Sequence, residues 1–383
     1  MSPLPRRTPL PVAFRISTFD LIGIRSWNQN DSFMISPKMA ELIDGLPDAI
    51  AIRCIARVPY VLLRELELVS RSWRHAIRSA EFLRARNEVG ASSELLCVSA
   101  FDPENLWQLY DPQRDLWLTL PVIPSKVRHL AHYGVVSLPG KLYVIGGGSD
   151  AVDPLTGDQD GSFATNEVWS YDAIQRQWSP RAAMVLPRAM FACGVLNGRI
   201  VVAGGFTNCR KSVAQAEVYD PDKDTWTAIG DLPRVHASAC YGTVIEGRFH
   251  VFHKGLTGVQ VMGRVGDGWR VEECVWPQGP MAVAGGGVCV MSQGNVVRLE
   301  GDRWRSVASA SEFRRRIGYA MVGLGDDVYV LGGLIGPDQW NWDIKALSDV
   351  DVLPLGGDRP NWRRAASMTR CRGPIVGCSL MRV

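Results

Sequence analysis

The chain has 383 residues, with 42 Lys and Arg against 39 Asp and Glu. A net charge of +3 excludes a strongly basic nucleic-acid binder, and 46% hydrophobic residues exclude a globally disordered polymer. The apolar runs fall short of the roughly 18–20 residues that cross a bilayer as a helix, and the length asks for two or three domains or a small domain with a repeat body.

Residues 1–38 carry Pro3, Pro5, Pro9, Pro11 and four arginines before any clear periodicity. They read as a disordered tail rather than a secretory leader, whose apolar core is missing here. Residues 39–90 read as helical. Apolar side chains recur at three and four: Leu42, Leu46, Ile50, Cys54 and Ile55, then Leu62, Leu66, Val69, Trp73 and Ile77. Pro47-Asp48 opens a helix, because proline at an early position gives up an N–H that has no helical partner anyway. Val58-Pro59 closes it, since the residue before proline is pushed out of the α region. A second helix is expected over about 61–87, ending before Gly90.

From residue 93 to 383 the texture changes to short β-rich runs separated by Gly, Pro and Asp. A Tyr or apolar residue stands seven positions before a Trp six times: Tyr110/Trp117, Tyr171/Trp178, Tyr219/Trp226, Met262/Trp269, Val297/Trp304 and Leu355/Trp362. Apolar strands end on the glycine pairs 146–147, 204–205 and 332–333. Six repeats over this region give about 48 residues each, the length of a four-stranded propeller blade. Residues 93–120 supply three strands without an opening one, and 373–383 supply a single strand without followers. Together they complete one blade, closing the ring and leaving no free sheet edge.

The strand, Gly-Gly, Tyr-Asp, Trp pattern resembles the kelch repeat of β-propellers. Blades 3 and 4, counted by complete repeats after the split one, depart from it, with Lys254-Gly255 and Ser292-Gln293 where the glycine pair belongs. The helical segment is similar to an F-box: Leu46-Pro47, then Val58-Pro59, then Val69-Ser70-Arg71-Ser72-Trp73-Arg74. Joined to kelch repeats, it resembles the plant F-box/kelch family. The expected fold is therefore a small all-α F-box (39–90) followed by an all-β six-bladed kelch β-propeller (93–383).

The resemblance implies a substrate adaptor of an SCF-type ubiquitin ligase. The F-box would bind a Skp-type adaptor and, through it, cullin and a RING protein. Leu46, Pro47, Ile50, Cys54, Ile55, Val58, Pro59, Leu66, Val69 and Trp73 would carry docking or the small core beneath it. The propeller would hold an unidentified protein substrate. A scaffold without a ubiquitin role, its helices merely capping the repeats, is the alternative.

Cations stand before the opening strands of several blades: Arg128, Arg188, Arg234 with His236, Arg314-Arg315-Arg316, and Arg370 with Arg372. Arg128, Arg188, Arg234, His236, Arg316 and Arg372 are candidates for binding an acidic or phosphorylated segment, since guanidiniums hold carboxylate and phosphate bidentately. The competing use of arginine at such turns is to bind strand-end carbonyls. Trp340 and Trp342, on a loop beside Asp338 and Asp343, are further binding candidates. Neither a metal site nor a cofactor is implied: the nine cysteines form no C-x-x-C, and G-x-S-x-G, P-loop and H-E-x-x-H patterns are missing. The thiols read as reduced and structural, in a cytoplasmic or nuclear protein. A propeller enzyme is the least expected class.

Overall fold

The computed structural model describes residues 41–149, 164–208, 210–337, 343–357 and 360–383, and residues 41–383 form one compact unit. The tail expected over residues 1–38 and the pair Trp340 and Trp342 lie outside the described residues. Among the described residues no helix is long and apolar enough to cross a membrane.

Four helices come first: α1 (Asp48–Ala56), α2 (Leu63–Leu66), α3 (Arg71–Ile77) and α4 (Ala80–Glu88). Pro47 caps α1 and Val58-Pro59 ends it, as the proline positions require. The single helix expected over 61–87 is instead three. Ser70 and Ser79 each leave the helical conformation and accept a hydrogen bond from the backbone N–H three residues on, at Trp73 and Phe82. Both serines act as N-caps, so the apolar periodicity runs on through two chain reversals. Ending α1 leaves carbonyls without helical partners. Arg86 on α4 meets that need: buried at 1% exposure, it donates to the carbonyls of Ala56 (3.0 Å), Val58 (2.6 Å) and Ala91 (2.9 Å).

Six four-stranded antiparallel sheets follow. Blade 1 combines the C-terminal strand Ile375–Arg382 with Glu94–Ala100, Trp107–Asp111 and Leu116–Thr119. Blades 2 to 6 open with Gly134–Leu138, Ala192–Leu196, Cys240–Ile245, Met281–Ala284 and Ala320–Leu324 respectively. Each opening strand is the innermost of its blade. Ile375–Arg382 packs against the inner strands of blades 2 and 6, which closes the ring. Its pairing sets Leu96 opposite Leu380 and Cys97 opposite Ser379. Ser93 and Val383 then exchange both backbone hydrogen bonds at 2.9 and 3.0 Å. A further small sheet of Arg316–Ile317, Leu334–Ile335 and Lys345–Ala346 rises beside blade 6, a feature that the repeat pattern does not foretell.

The seven-residue spacing has a direct geometric cause. In blades 1, 2 and 3 it places Tyr110 opposite Trp117, Tyr171 opposite Trp178 and Tyr219 opposite Trp226 across the outer hairpin. Blade 5 differs from the expected Val297 pairing: its outer turn is tighter, and Trp304 faces Leu299. The indole N–H groups of Trp117, Trp178, Trp226, Trp269 and Trp362 each donate to a carbonyl of the preceding blade, at Ala366, Pro121, Ala182, Gly230 and Ser309, over 2.6–2.8 Å. Trp304 instead meets Trp276 edge-on at 5.2 Å between ring centroids. Five of the six tryptophans thus supply a polar link at a seam between blades, and the sixth supplies a ring contact.

Gly205 explains the glycine pairs. Its φ is +88°, and a Cβ there would stand 2.6 Å from the Ala189 carbonyl oxygen of the loop that enters the same blade. Only glycine meets both conditions.

Truncation after Gly373 removes the closing strand and reopens the ring at blade 1. The expected result is loss of the cooperative thermal transition, followed by near-ultraviolet circular dichroism; a truncated chain that melts like the full one would contradict closure as the source of stability.

Candidate functional site

The helical segment lies on one face of the propeller. Tyr60 donates its hydroxyl to the Ala173 carbonyl (2.8 Å), and Gln175 donates to the Arg78 carbonyl (2.6 Å). The Cβ position of Gly140 would stand 2.9 Å from Leu83. All three contacts involve turns on one side of blade 2. Leu63, Ile77 and Phe82, each fully buried, share a core with Leu95, Trp107 and Leu142 of blades 1 and 2. At roughly 1.5–3 kcal/mol per buried large apolar side chain, this interface is part of the fold rather than a loose tether.

The ten sequence-identified F-box residues separate into two sets. Ile55 is buried, and Val58, Leu66 and Trp73 pack against the shared core. Leu46 and Pro59 are half-buried. Trp73 also donates its indole N–H to the Leu42 carbonyl at 2.6 Å, pinning the segment before α1. The outward set comprises Pro47, Ile50, Cys54 and Val69. Ile50 is 45% exposed and Val69 60% exposed. Leu62 and Leu68, which the motif comparison leaves out, join them, Leu68 at 75% exposure. Leu62 belongs to the apolar periodicity, whereas the position of Leu68 on a turn hides it from a pattern search.

The loops entering the inner strands lie on the other face, and they carry the arginine candidates. Arg188 is fully buried. It donates to the carbonyls of Gly204 (3.0 Å) and Gln215 (2.8 Å) and pairs with Glu217 at 2.5 Å. Arg316 repeats the arrangement in blade 6, donating to the carbonyls of Gly332 and Asp349 and pairing with Asp351 at 2.6 Å. The expectation that these two guanidiniums reach a ligand is corrected here: both serve as internal ties between the entering loop, the glycine pair and a strand carboxylate. Burial works against the charge of Arg188, which the neighbouring Glu217 favours.

Arg234 is exposed but paired with Glu273 at 2.5 Å. His236 is half-buried, its ring 4.7 Å from that of His253. Arg128 and Arg372 are exposed, and among the described residues neither meets a carboxylate. His129 lies against the Phe101 ring at 5.2 Å, and Arg370 and Arg372 border with it a cleft of about 290 Å³ that also holds Asp102 and Glu104. Of the six candidates, Arg128 and Arg372 are thus the exposed cations that meet no carboxylate among the described residues, at the entries to blades 2 and 1.

Burial pushes several thiols upward: Cys193 and Cys378 to about 12, and Cys240, Cys289 and Cys371 to about 11. Such thiols stay protonated and poorly nucleophilic near neutral pH. Among the described residues no group of three or more His, Cys, Asp or Glu is placed to hold a metal ion.

Comparison with known proteins agrees with this architecture. Residues 129–185 and 187–233 match the family model for the Kelch motif. The F-box/kelch-repeat protein SKIP30 of Arabidopsis thaliana is 61% identical over 345 residues, covering 90% of this chain and 98% of its own. The F-box/kelch-repeat protein At1g16250 of the same plant is 32% identical, covering 88% of this chain and 96% of its own. The solved structure of YjhT superposes with a TM-score of 0.52 at 13% identity, over 70% of this chain and 96% of that one, a likeness of fold. The repeats and the helices define a β-propeller with an appended α-helical segment. The chain belongs to the F-box/kelch-repeat proteins.

Two outcomes follow from the buried groups. Arg188→Met strands Glu217 without its partner and is expected to cost about 3–5 kcal/mol in denaturant unfolding, with much of the loss recovered on adding Glu217→Gln. His253 is 4% exposed; burial first, then the charge of His236, lowers its pKa to about 4. The unfolded group takes up its proton near the ordinary 6.5, so folding stability should fall as pH drops from about 6.5 toward 4. His253→Gln should flatten that part of the stability profile, as read by chemical denaturation at stepped pH.

Proposed function

We propose that this chain is the substrate-recognition subunit of an SCF-type ubiquitin ligase. Its F-box helices dock on a Skp-type adaptor, and through it on cullin and a RING protein, while the propeller holds the protein to be ubiquitinated. The chain is then a non-catalytic adaptor acting in the cytoplasm or nucleus.

The observation that carries this reading is the division of the helical segment. Its inner side chains share the core of blades 1 and 2. Pro47, Ile50, Cys54, Leu62, Leu68 and Val69 remain outward, with Leu68 at 75% exposure. A segment that only capped the repeats would need the inner set and would favour polar residues outside. An outward apolar set is what a partner surface buries, and hydrophobic burial would dominate the affinity. The family relationship to SKIP30 and its likeness over nearly the full length support the same assignment.

For the substrate, the loop face opposite the helices is the favoured location, with exposed cations at Arg128 and at Arg372, the latter beside Phe101. On this reading substrate and adaptor occupy separate surfaces of one ring.

Ile50→Asp and Val69→Asp alter exposed positions and should leave the melting temperature nearly unchanged. Each is expected to weaken co-purification with a Skp-type adaptor by at least about tenfold. Undiminished adaptor binding in the double variant would favour the scaffold reading instead.

A further inference from the structure

The junction between the helices and the propeller contains a cleft whose lining, apart from Leu68 at its rim, takes no part in the proposed adaptor docking or substrate capture. Its cavity is about 560 Å³, within the range of small-molecule sites, and it opens between α2, α3 and the outer strands of blades 1 and 2. The apolar side is built by Leu109, Leu118 and Leu120 of blade 1 with Tyr60 and Tyr171. Leu109 and Tyr171 are 1% exposed, so this floor is set by the fold and needs no rearrangement.

The other side is cationic. Arg64, Arg74, Arg78 and Arg176 border the cleft against one carboxylate, Glu67. Glu67 is itself buried, its side chain 5% exposed, and it pairs with Arg78 at 2.8 Å and Arg176 at 3.1 Å. That pair of contacts fixes two guanidiniums in place: Arg176 is drawn over the Tyr60 ring at 5.8 Å, and Arg78 is held at the wall. Arg74 meets the Glu67 backbone carbonyl at 3.3 Å. Among the described residues, neither Arg64 nor Arg74 meets a carboxylate, and both are exposed. The lining charge is therefore +3, from four arginines and one glutamate.

We infer that this cleft is a binding site for a small amphiphilic anion, a molecule with an aromatic or aliphatic body and a carboxylate, sulfonate or phosphate group. The body lies on the leucine and tyrosine floor, and the anion accepts hydrogen bonds from Arg64 and Arg74. Forked guanidiniums suit such planar or tetrahedral anions, and the neighbouring apolar wall strengthens the pairing by excluding water. Residues of this chain's helices and of its blades would both touch the ligand. Occupancy would therefore tighten the helix–propeller junction next to the exposed Leu68.

The test uses the purified full chain and the fluorescent probe 1-anilinonaphthalene-8-sulfonate, which joins an aromatic body to a sulfonate. Saturable binding at one site per chain is expected in calorimetry and fluorescence. Arg64→Glu and Arg74→Glu together should weaken it at least about tenfold, whereas Arg270→Glu on blade 4 should not. The uncharged analogue N-phenyl-1-naphthylamine should bind more weakly than the sulfonate and be insensitive to the arginine changes. Melting curves keep unfolding apart from lost binding. Unchanged affinity in the folded double variant, equal binding of the uncharged analogue, or failure to saturate at one site would each overturn the assignment.

Discussion

The pairing of the last strand with the first is the constraint on which the remaining geometry depends. Ile375–Arg382 joins Glu94–Ala100, and the bonds between Ser93 and Val383 extend that ladder to the point where the helices hand over to the sheet. Without it, blade 1 has no inner strand and blades 2 and 6 lose a shared neighbour. The same join sets the helices. Gly140 donates to the Arg382 carbonyl, and Ala173 donates to the Gly140 carbonyl, so the turns beneath the helices are tied to the closing strand. A sheet edge that would otherwise attract another chain becomes the platform for the helical segment.

Stability around the ring is repeated rather than concentrated. Five indole N–H groups reach back to the preceding blade, and the sixth seam uses Trp276 against Trp304. The buried pairs Arg188–Glu217 and Arg316–Asp351 hold the entering loops to the blades they begin. Such pairs carry a desolvation cost, offset in part by carbonyl acceptors that take up further guanidinium donors, although the buried Nε of Arg188 meets no acceptor among the described residues. The result is a stiff ring on which two faces are chemically different: turns covered by helices on one side, longer connecting loops on the other.

Arginine serves three purposes in this chain, and burial decides among them. Arg86 satisfies carbonyls freed by a proline-ended helix. Arg188 and Arg316 neutralise strand carboxylates. Arg64, Arg74, Arg128 and Arg372 remain at the surface, where charge is available to a ligand. Equal spacing before each blade does not distinguish these uses, because partners such as Glu217 and Asp351 stand far along the chain.

The amino-acid pattern alone determined the succession of helices and blades, the count of six and the closing role of the C-terminal strand. Those features follow from local rules: proline placement, turn glycines and a tryptophan spacing that matches hairpin register. It also located the F-box-like residues, although the caps at Ser70 and Ser79 divided what the periodicity joined. Tertiary structure decided which of those residues point inward, turned Arg188 and Arg316 into internal ties, and assembled the cleft around Glu67. Each of these depends on contacts between residues that are distant in the chain, where short-range spacing carries no information about direction or burial.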